Sequence, residues 1–198
     1  MKTMKGLICN ASPKKYFGLA CALFLIGTIV LSYMGYHLSA KRAAVNTGFI
    51  NENAIVLGET NTKYYHILFY ENADTYETIV LERKLFLWKA IVGFSGHKDS
   101  APLVISGGCS FGDSNKGVTT ISVLCNDDKV AYINIDADGK KIRKDVSVNK
   151  NPIFTWDCGI GRDNIFGEAY DKNDVLLYRT STFEQDNRNK RWITWIRD

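Results

Sequence analysis

The chain has 198 residues, with 25 Lys and Arg against 21 Asp and Glu and a formal charge of +4. The excess is carried by Lys2, Lys5, Lys14 and Lys15; from residue 37 onward the 21 remaining bases meet all 21 acids. A folded part whose charges cancel offers no basic face to neutralise phosphates, which argues against nucleic acid as a partner.

Residues 1–15 form a basic tail without acids. Tyr16 to Tyr36 then run uncharged for 21 residues, YFGLACALFLIGTIVLSYMGY. As a helix rising ~1.5 Å per residue, this stretch matches the ~30 Å hydrocarbon core of a bilayer and predicts one transmembrane helix over 16–36. Four lysines precede it and only Lys41 and Arg42 closely follow, which predicts a cytoplasmic N-terminus and a C-terminal domain outside the cell membrane. A cleaved signal peptide fits less well: its apolar core is ~7–15 residues, and Leu38-Ser39-Ala40 puts Leu where a small residue is needed. A lipoprotein signal fits no better, because the apolar run continues fifteen residues past Cys21. A retained signal anchor is therefore expected, with the lipid bilayer as partner through residues 16–36. Gly18 and Ala22 have the small-xxx-small spacing of close helix pairs, common by chance in apolar segments.

Residues 37–50 read as a stem, in which Leu38 to Val45 extends the helix and Asn46-Thr47-Gly48 breaks it. Residues 51–198 suit one extracytoplasmic β domain with its own core. Tyr64 to Tyr70 is aromatic and β-branched, Glu71-Asn72-Ala73-Asp74 is a turn, and Tyr76 to Leu81 resumes the pattern as a hairpin. Leu85 to Phe94 is the next apolar run. Further strands are predicted near 102–106, 118–124, 129–136, 141–148, 153–156, 164–170, 175–180 and 191–196. Turn residues recur about every ten positions, which predicts an all-β, two-sheet sandwich-like fold. Val130–Gly139 echoes Ile165–Asp174 as two similar hairpins.

Gly108-Cys109-Ser110-Phe111-Gly112 matches the G-x-S-x-G nucleophile elbow, whose glycines permit a sharp strand-to-helix turn. The following Asp113-Ser114-Asn115-Lys116-Gly117 is loop chemistry, and His37, His66 and His97 all precede Ser110, so a Gly/Ser-rich surface loop is expected instead. Asn134 to Gly139 resembles half of an EF-hand loop, but position 12 is Asp145, position 8 is Lys141 and the flanks are strands. A hairpin turning at Asp138-Gly139 accounts for those residues. Cys109, Cys125 and Cys158 lie on the expected oxidising side, yet a domain this size does without a disulfide, and Cys125 reads as core. No CxxC and no His cluster supports zinc. Trp88, Trp156, Trp192 and Trp195 read mainly as core; in the last strand Trp192, Thr194 and Ile196 share one face and Ile193 and Trp195 the other. No catalytic, cofactor-binding or metal residue is assigned.

The anchor, the segment ILFYENADTYETIVLERKLFLWKAIVGFSG, TTISVLCNDDKVAYINID and the closing GEAYDKNDVLLY together resemble a group of small single-span Gram-positive bacterial proteins with a β-rich extracytoplasmic domain. Phe86-Leu87-Trp88-Lys89 stands where that group tends to have Gly-Trp-Lys-Trp, and Asn173-Asp174 replaces an Asn-Gly-like turn. The resemblance implies a fold and a location and no catalytic residues. The functional expectation is a membrane-anchored binding or accessory module, with an envelope protein or polymer as partner. One alternative is an envelope hydrolase using a carboxylate pair such as Asp127/Asp128 or Asp157/Asp163. The other is a sensor acting through a membrane partner.

Overall fold

The computed structural model describes residues 13–51, 53–112, 116–148, 150–181 and 194–198, without the side chains of 13–16. Thirteen strands are described: β1 Tyr36–His37, β2 Ile55–Asn61, β3 Tyr65–Glu71, β4 Thr75–Lys84, β5 Leu87–His97, β6 Leu103–Gly112, β7 Gly117–Cys125, β8 Tyr132–Ala137, β9 Lys140–Asp145, β10 Ile153–Trp156, β11 Ile165–Tyr170, β12 Leu176–Ser181 and β13 Thr194–Arg197. Two helices precede most of them, α1 Pro13–Tyr33 and α2 Ala40–Val45. The domain is therefore mostly β.

All strand pairings are antiparallel, and they form three sheets rather than two. An N-terminal sheet has the order β1-β5-β4-β3-β2, a middle sheet β10-β7-β6, and a C-terminal sheet β13-β12-β11-β8-β9. The middle sheet is covered on both faces. On one side Cys109, Val118 and Ile153 pack with Tyr65, Ile67, Phe69 and Val80 of the N-terminal sheet. On the other, Ile121, Val123, Phe154 and Trp156 pack with Ile133, Ile135, Ile165 and Ala169 of the C-terminal sheet. Burial of both faces explains the composition of β7, GVTTISVLC, where alternation is absent. Its buried hydroxyls are all matched: Thr119 donates to the Cys158 carbonyl at 2.9 Å, Thr120 to the Phe154 carbonyl at 3.0 Å, and Ser122 pairs with Ser106 at 2.9 Å.

The segment read as a stem lies against the domain. β1 pairs with β5 (Tyr36 opposite Lys89, His37 opposite Trp88). α2 is capped by Ser39, whose hydroxyl accepts the Arg42 N–H at 3.4 Å, and it buries Ala43 and Ala44 on the outer face of the N-terminal sheet with Leu68, Tyr70, Ile79 and Leu81. Small residues at 43 and 44 let the helix approach the sheet closely. Asn72 fastens the chain beyond α2: its amide donates to the Phe49 carbonyl at 2.9 Å and its side-chain carbonyl accepts the Asn51 N–H at 3.3 Å.

α1 stands apart from this packing. Phe17, Leu25 and Ile29 are 73%, 60% and 67% exposed. Among the described residues, no helix is long and apolar enough to cross a membrane.

The 108–112 segment is strand, not surface loop: β6 continues through it, pairing Cys109 with Thr120 and Ser110 with Thr119. Two glycines precede Cys109 because the N-terminal sheet presses on Gly107 and the backbone of the neighbouring strand β7 on Gly108. A Cβ on Gly107 would lie 2.5 Å from Thr78 Oγ1, and one on Gly108 would lie 2.9 Å from the Thr120 carbonyl oxygen. The echoed hairpins are real neighbours: β8–β9 and β11–β12 sit side by side, with β8 paired to β11 from Ile165 opposite Ala137 to Tyr170 opposite Tyr132. The first turns at Asp138 and Gly139, with φ of 54° and 76°. Positive φ at both central residues is the two-residue hairpin geometry that Asp-Gly favours. The second is closed by Asp171, whose carboxylate accepts the Asn173 and Val175 N–H groups at 2.8 Å each.

Candidate functional site

Among the described residues, β6 is the free edge of the middle sheet, held between the two outer sheets. A β-bulge at Ser106 shifts its register to β7 between Ile105 and Gly107, and Ser106 turns its hydroxyl toward Ser122 and Asn151. The direction of the edge groups follows from β7. The Val123 N–H donates to the Pro152 carbonyl at 3.1 Å, on the side away from β6. The Ile105–Val123 pair is thus the kind without mutual hydrogen bonds, and the amide and carbonyl of Ile105 point outward. Asn126 N–H donates to the Pro102 carbonyl at 2.7 Å, so the neighbouring Leu103–Cys125 pair is also of this kind. Further along, the outward Gly108 N–H is taken by Thr78 Oγ1 at 3.0 Å.

A cleft of about 320 Å³ runs along this edge. Tyr76 and Phe94 wall it on the N-terminal sheet, Ile165 and Trp195 on the C-terminal sheet, and β6 residues on either side of Ser106 form its floor. His97, Asp99 and Arg162 supply ionisable groups around it. Trp195 is seated over Gly167, where a Cβ would fall 2.7 Å from the ring, and its indole N–H is buried without a partner among the described residues. Of the last strand, Trp195 faces inward and Ile196 outward, 42% exposed; Trp192 and Ile193 lie outside the described residues. Trp156 is core, its indole N–H donating to the Lys140 carbonyl at 3.0 Å, and Trp88 packs beside His66 with ring centroids 5.3 Å apart.

Of the residues singled out for chemistry, Cys109 reaches the cleft and the others fall elsewhere. Ser110 is half-buried and committed to the scaffold, donating to the Ile160 carbonyl at 2.7 Å and accepting the Ile160 N–H at 3.1 Å. Cys109, 1% exposed beneath the cleft, has its thiol pushed up to about 12 by burial, which disfavours the nucleophilic thiolate. Cys109, Cys125 and Cys158 are free thiols. Asp127 accepts the Lys129 N–H at 2.9 Å and the Tyr178 hydroxyl at 2.7 Å, contacts that hold its carboxyl below its ordinary value. None of Asp127, Asp128, Asp157 and Asp163 lines the cleft; among the described residues Asp99 is the carboxylate there. Asp136 and Asp138 border a shallow depression with Asn164, and no group of three potential metal ligands occurs among the described residues.

Cys109 and Trp195 are the cleft residues singled out in the sequence, though not the cleft that joins them. The one signal was the Gly107-Gly108 pair inside a strand, a mark of close backbone approach. Comparison of the chain with protein-family models, with curated proteins and with solved structures finds no match to any of them.

Proposed function

We propose that this chain is a membrane-tethered binding module that holds a short extended peptide segment in the β6 cleft, outside the membrane and with its N-terminus in the cytoplasm. The observation that carries the ligand class is the edge at Leu103 and Ile105, unpaired among the described residues. A small apolar molecule fills volume, whereas an extended main chain also satisfies outward amides and carbonyls by adding a strand. At ~3.3 Å per residue, matching the two positions takes about three ligand residues, which suits a cleft at the small end of ligand pockets, ~300–1,000 Å³. Tyr76, Phe94 and Trp195 would then flank the ligand's side chains.

The tether is argued from the part of the uncharged run that lies in α1, up to Tyr33 and short of Tyr36 in β1, from the lysines before it, and from the exposure of every described large apolar side chain from Phe17 to Val30. In water those side chains have nothing to pack on; in a bilayer they do. The resemblance to small single-span envelope proteins agrees with this location, and an envelope or exported protein is the natural source of the peptide.

The test uses the full chain in detergent and a library of blocked hexapeptides, with binding read by fluorescence polarisation. Ile105→Pro removes an outward N–H without costing a bond to β7, because proline is tolerated on the open side of an edge strand. It should weaken the selected peptides tenfold or more, whereas Ile105→Val should not. N-methylation of the peptide backbone should act like the proline. Equal binding to the wild type and Ile105→Pro would refute strand addition.

A further inference from the structure

The β4–β5 hairpin ends in Leu85-Phe86, and the tip is built against the usual logic of a water-exposed turn. Leu85 is 88% and Phe86 60% exposed, and Leu85 sits at φ 58°, a conformation that favours Gly or Asn. Leu38 is 74% exposed on the adjoining chain. The sheet register brings them together: Lys84 faces Leu87 across the hairpin, and continuing the β1–β5 pairing from His37–Trp88 puts Leu38 beside Leu87. Basic side chains occur on the elements that carry this apolar tip, with Glu82 3.8 Å from Lys84. Lys84, Lys41 and Arg42 are exposed, and Lys89 lies over the Tyr36 ring at 5.0 Å.

We infer that this tip is a second membrane contact, seated in the headgroup layer of an anionic bilayer beside the point where α1 emerges. The inference rests on the reading of α1 as a membrane anchor. Leu38 comes five residues after Tyr33, so the chain holds Leu38, at the tip's edge, within about 18 Å of the helix end. Exposed apolar side chains with Lys and Arg on the adjoining elements match a surface that is apolar within and negatively charged without. Two attachments, one spanning and one interfacial, would fix the orientation of the β6 cleft relative to the membrane plane more firmly than the anchor alone.

The test places a genetically encoded fluorescent amino acid at position 86 or, as control, at position 173, in the exposed turn between β11 and β12. The full chain is reconstituted in vesicles of phosphatidylcholine with a quarter phosphatidylglycerol, carrying lipids with a nitroxide at carbon 5. Quenching at 86 should exceed that at 173 by about twofold or more, as expected for a group buried ~5–10 Å below the surface. Equal quenching at the two positions, in protein that floats with the vesicles, overturns the tip contact and leaves the α1 anchor standing. Protein that does not float overturns both.

Discussion

Replacing Gly107 by Ala drives a methyl group into the seam between the middle and N-terminal sheets. The new Cβ would lie 2.5 Å from Thr78 Oγ1 and 2.6 Å from Phe69 Cδ1, well inside contact distance. Neither neighbour has room to retreat, since Phe69 is fully buried and Thr78 is 1% exposed. Overpacking of this kind costs about 1–3 kcal/mol. Thr78 Oγ1 is also the acceptor for the Gly108 N–H, and leaving that amide unmatched adds about 1–3 kcal/mol. Together they amount to about 2–6 kcal/mol, a large share of the ~5–15 kcal/mol that holds a domain folded. Equilibrium unfolding in urea, followed by tryptophan fluorescence on the full chain in detergent, reads the loss. Phe69→Leu should relieve part of it, so the double variant should be more stable than the sum of the two single losses predicts. A Gly107→Ala loss under about 0.5 kcal/mol would mean that β6 does not lie against β4 as described.

Three other outcomes are expected. Asp127 is held below the ordinary carboxylate range, first by the Lys129 N–H and then by the Tyr178 hydroxyl, so its contribution is present at neutral pH and lost as pH falls below about 4; Asp127→Asn should flatten that acid limb of a stability–pH curve. The Cys109 thiol ionises near 9 when unfolded and about 12 when folded, so iodoacetamide at pH 8.5 should spare it in the folded chain and label it in urea, and its contribution to stability should fade as pH rises from 9 toward 12. Gly139→Ala forces a side chain onto φ 76° and should lower stability by about 1 kcal/mol in urea titration, whereas Gly161→Ala, in open space at negative φ, should change it little.

Hairpins with strong β-branched strands and acidic turns were legible in the sequence: β3–β4, β8–β9 and β11–β12 fall within a few residues of their expected bounds. The Asp138-Gly139 turn was legible for a chemical reason, since few other pairs accept positive φ twice in succession. β2 was not expected, because IVLGETN puts Gly, Glu and Asn into an edge strand whose burial is slight. The third layer was hidden for the opposite reason. A strand buried on both faces loses the alternation that says which side is core, so β7 read as one more sandwich strand. The stem was misjudged because Ala43 and Ala44 are too small to announce a buried face, although their size is what lets α2 sit against the sheet. The cleft was least legible of all. Its edge comes from β6, but its walls come from Tyr76 and Phe94 on one side and Ile165 and Trp195 on the other, and only the fold brings them together.

The central position of β7 also sets a hierarchy of opening. From Thr119 to Ser122 its amides lie between β6 and β10, and both its faces are roofed by other sheets, so no peripheral motion exposes them to solvent. They should exchange with deuterium only through global unfolding, and their rates should report the full stability of the domain. β1, two residues long at the sheet edge, and the open end of β2 should exchange orders of magnitude sooner. The molecule would then loosen from its outer strands inward, with β7 as the last element to release its protons.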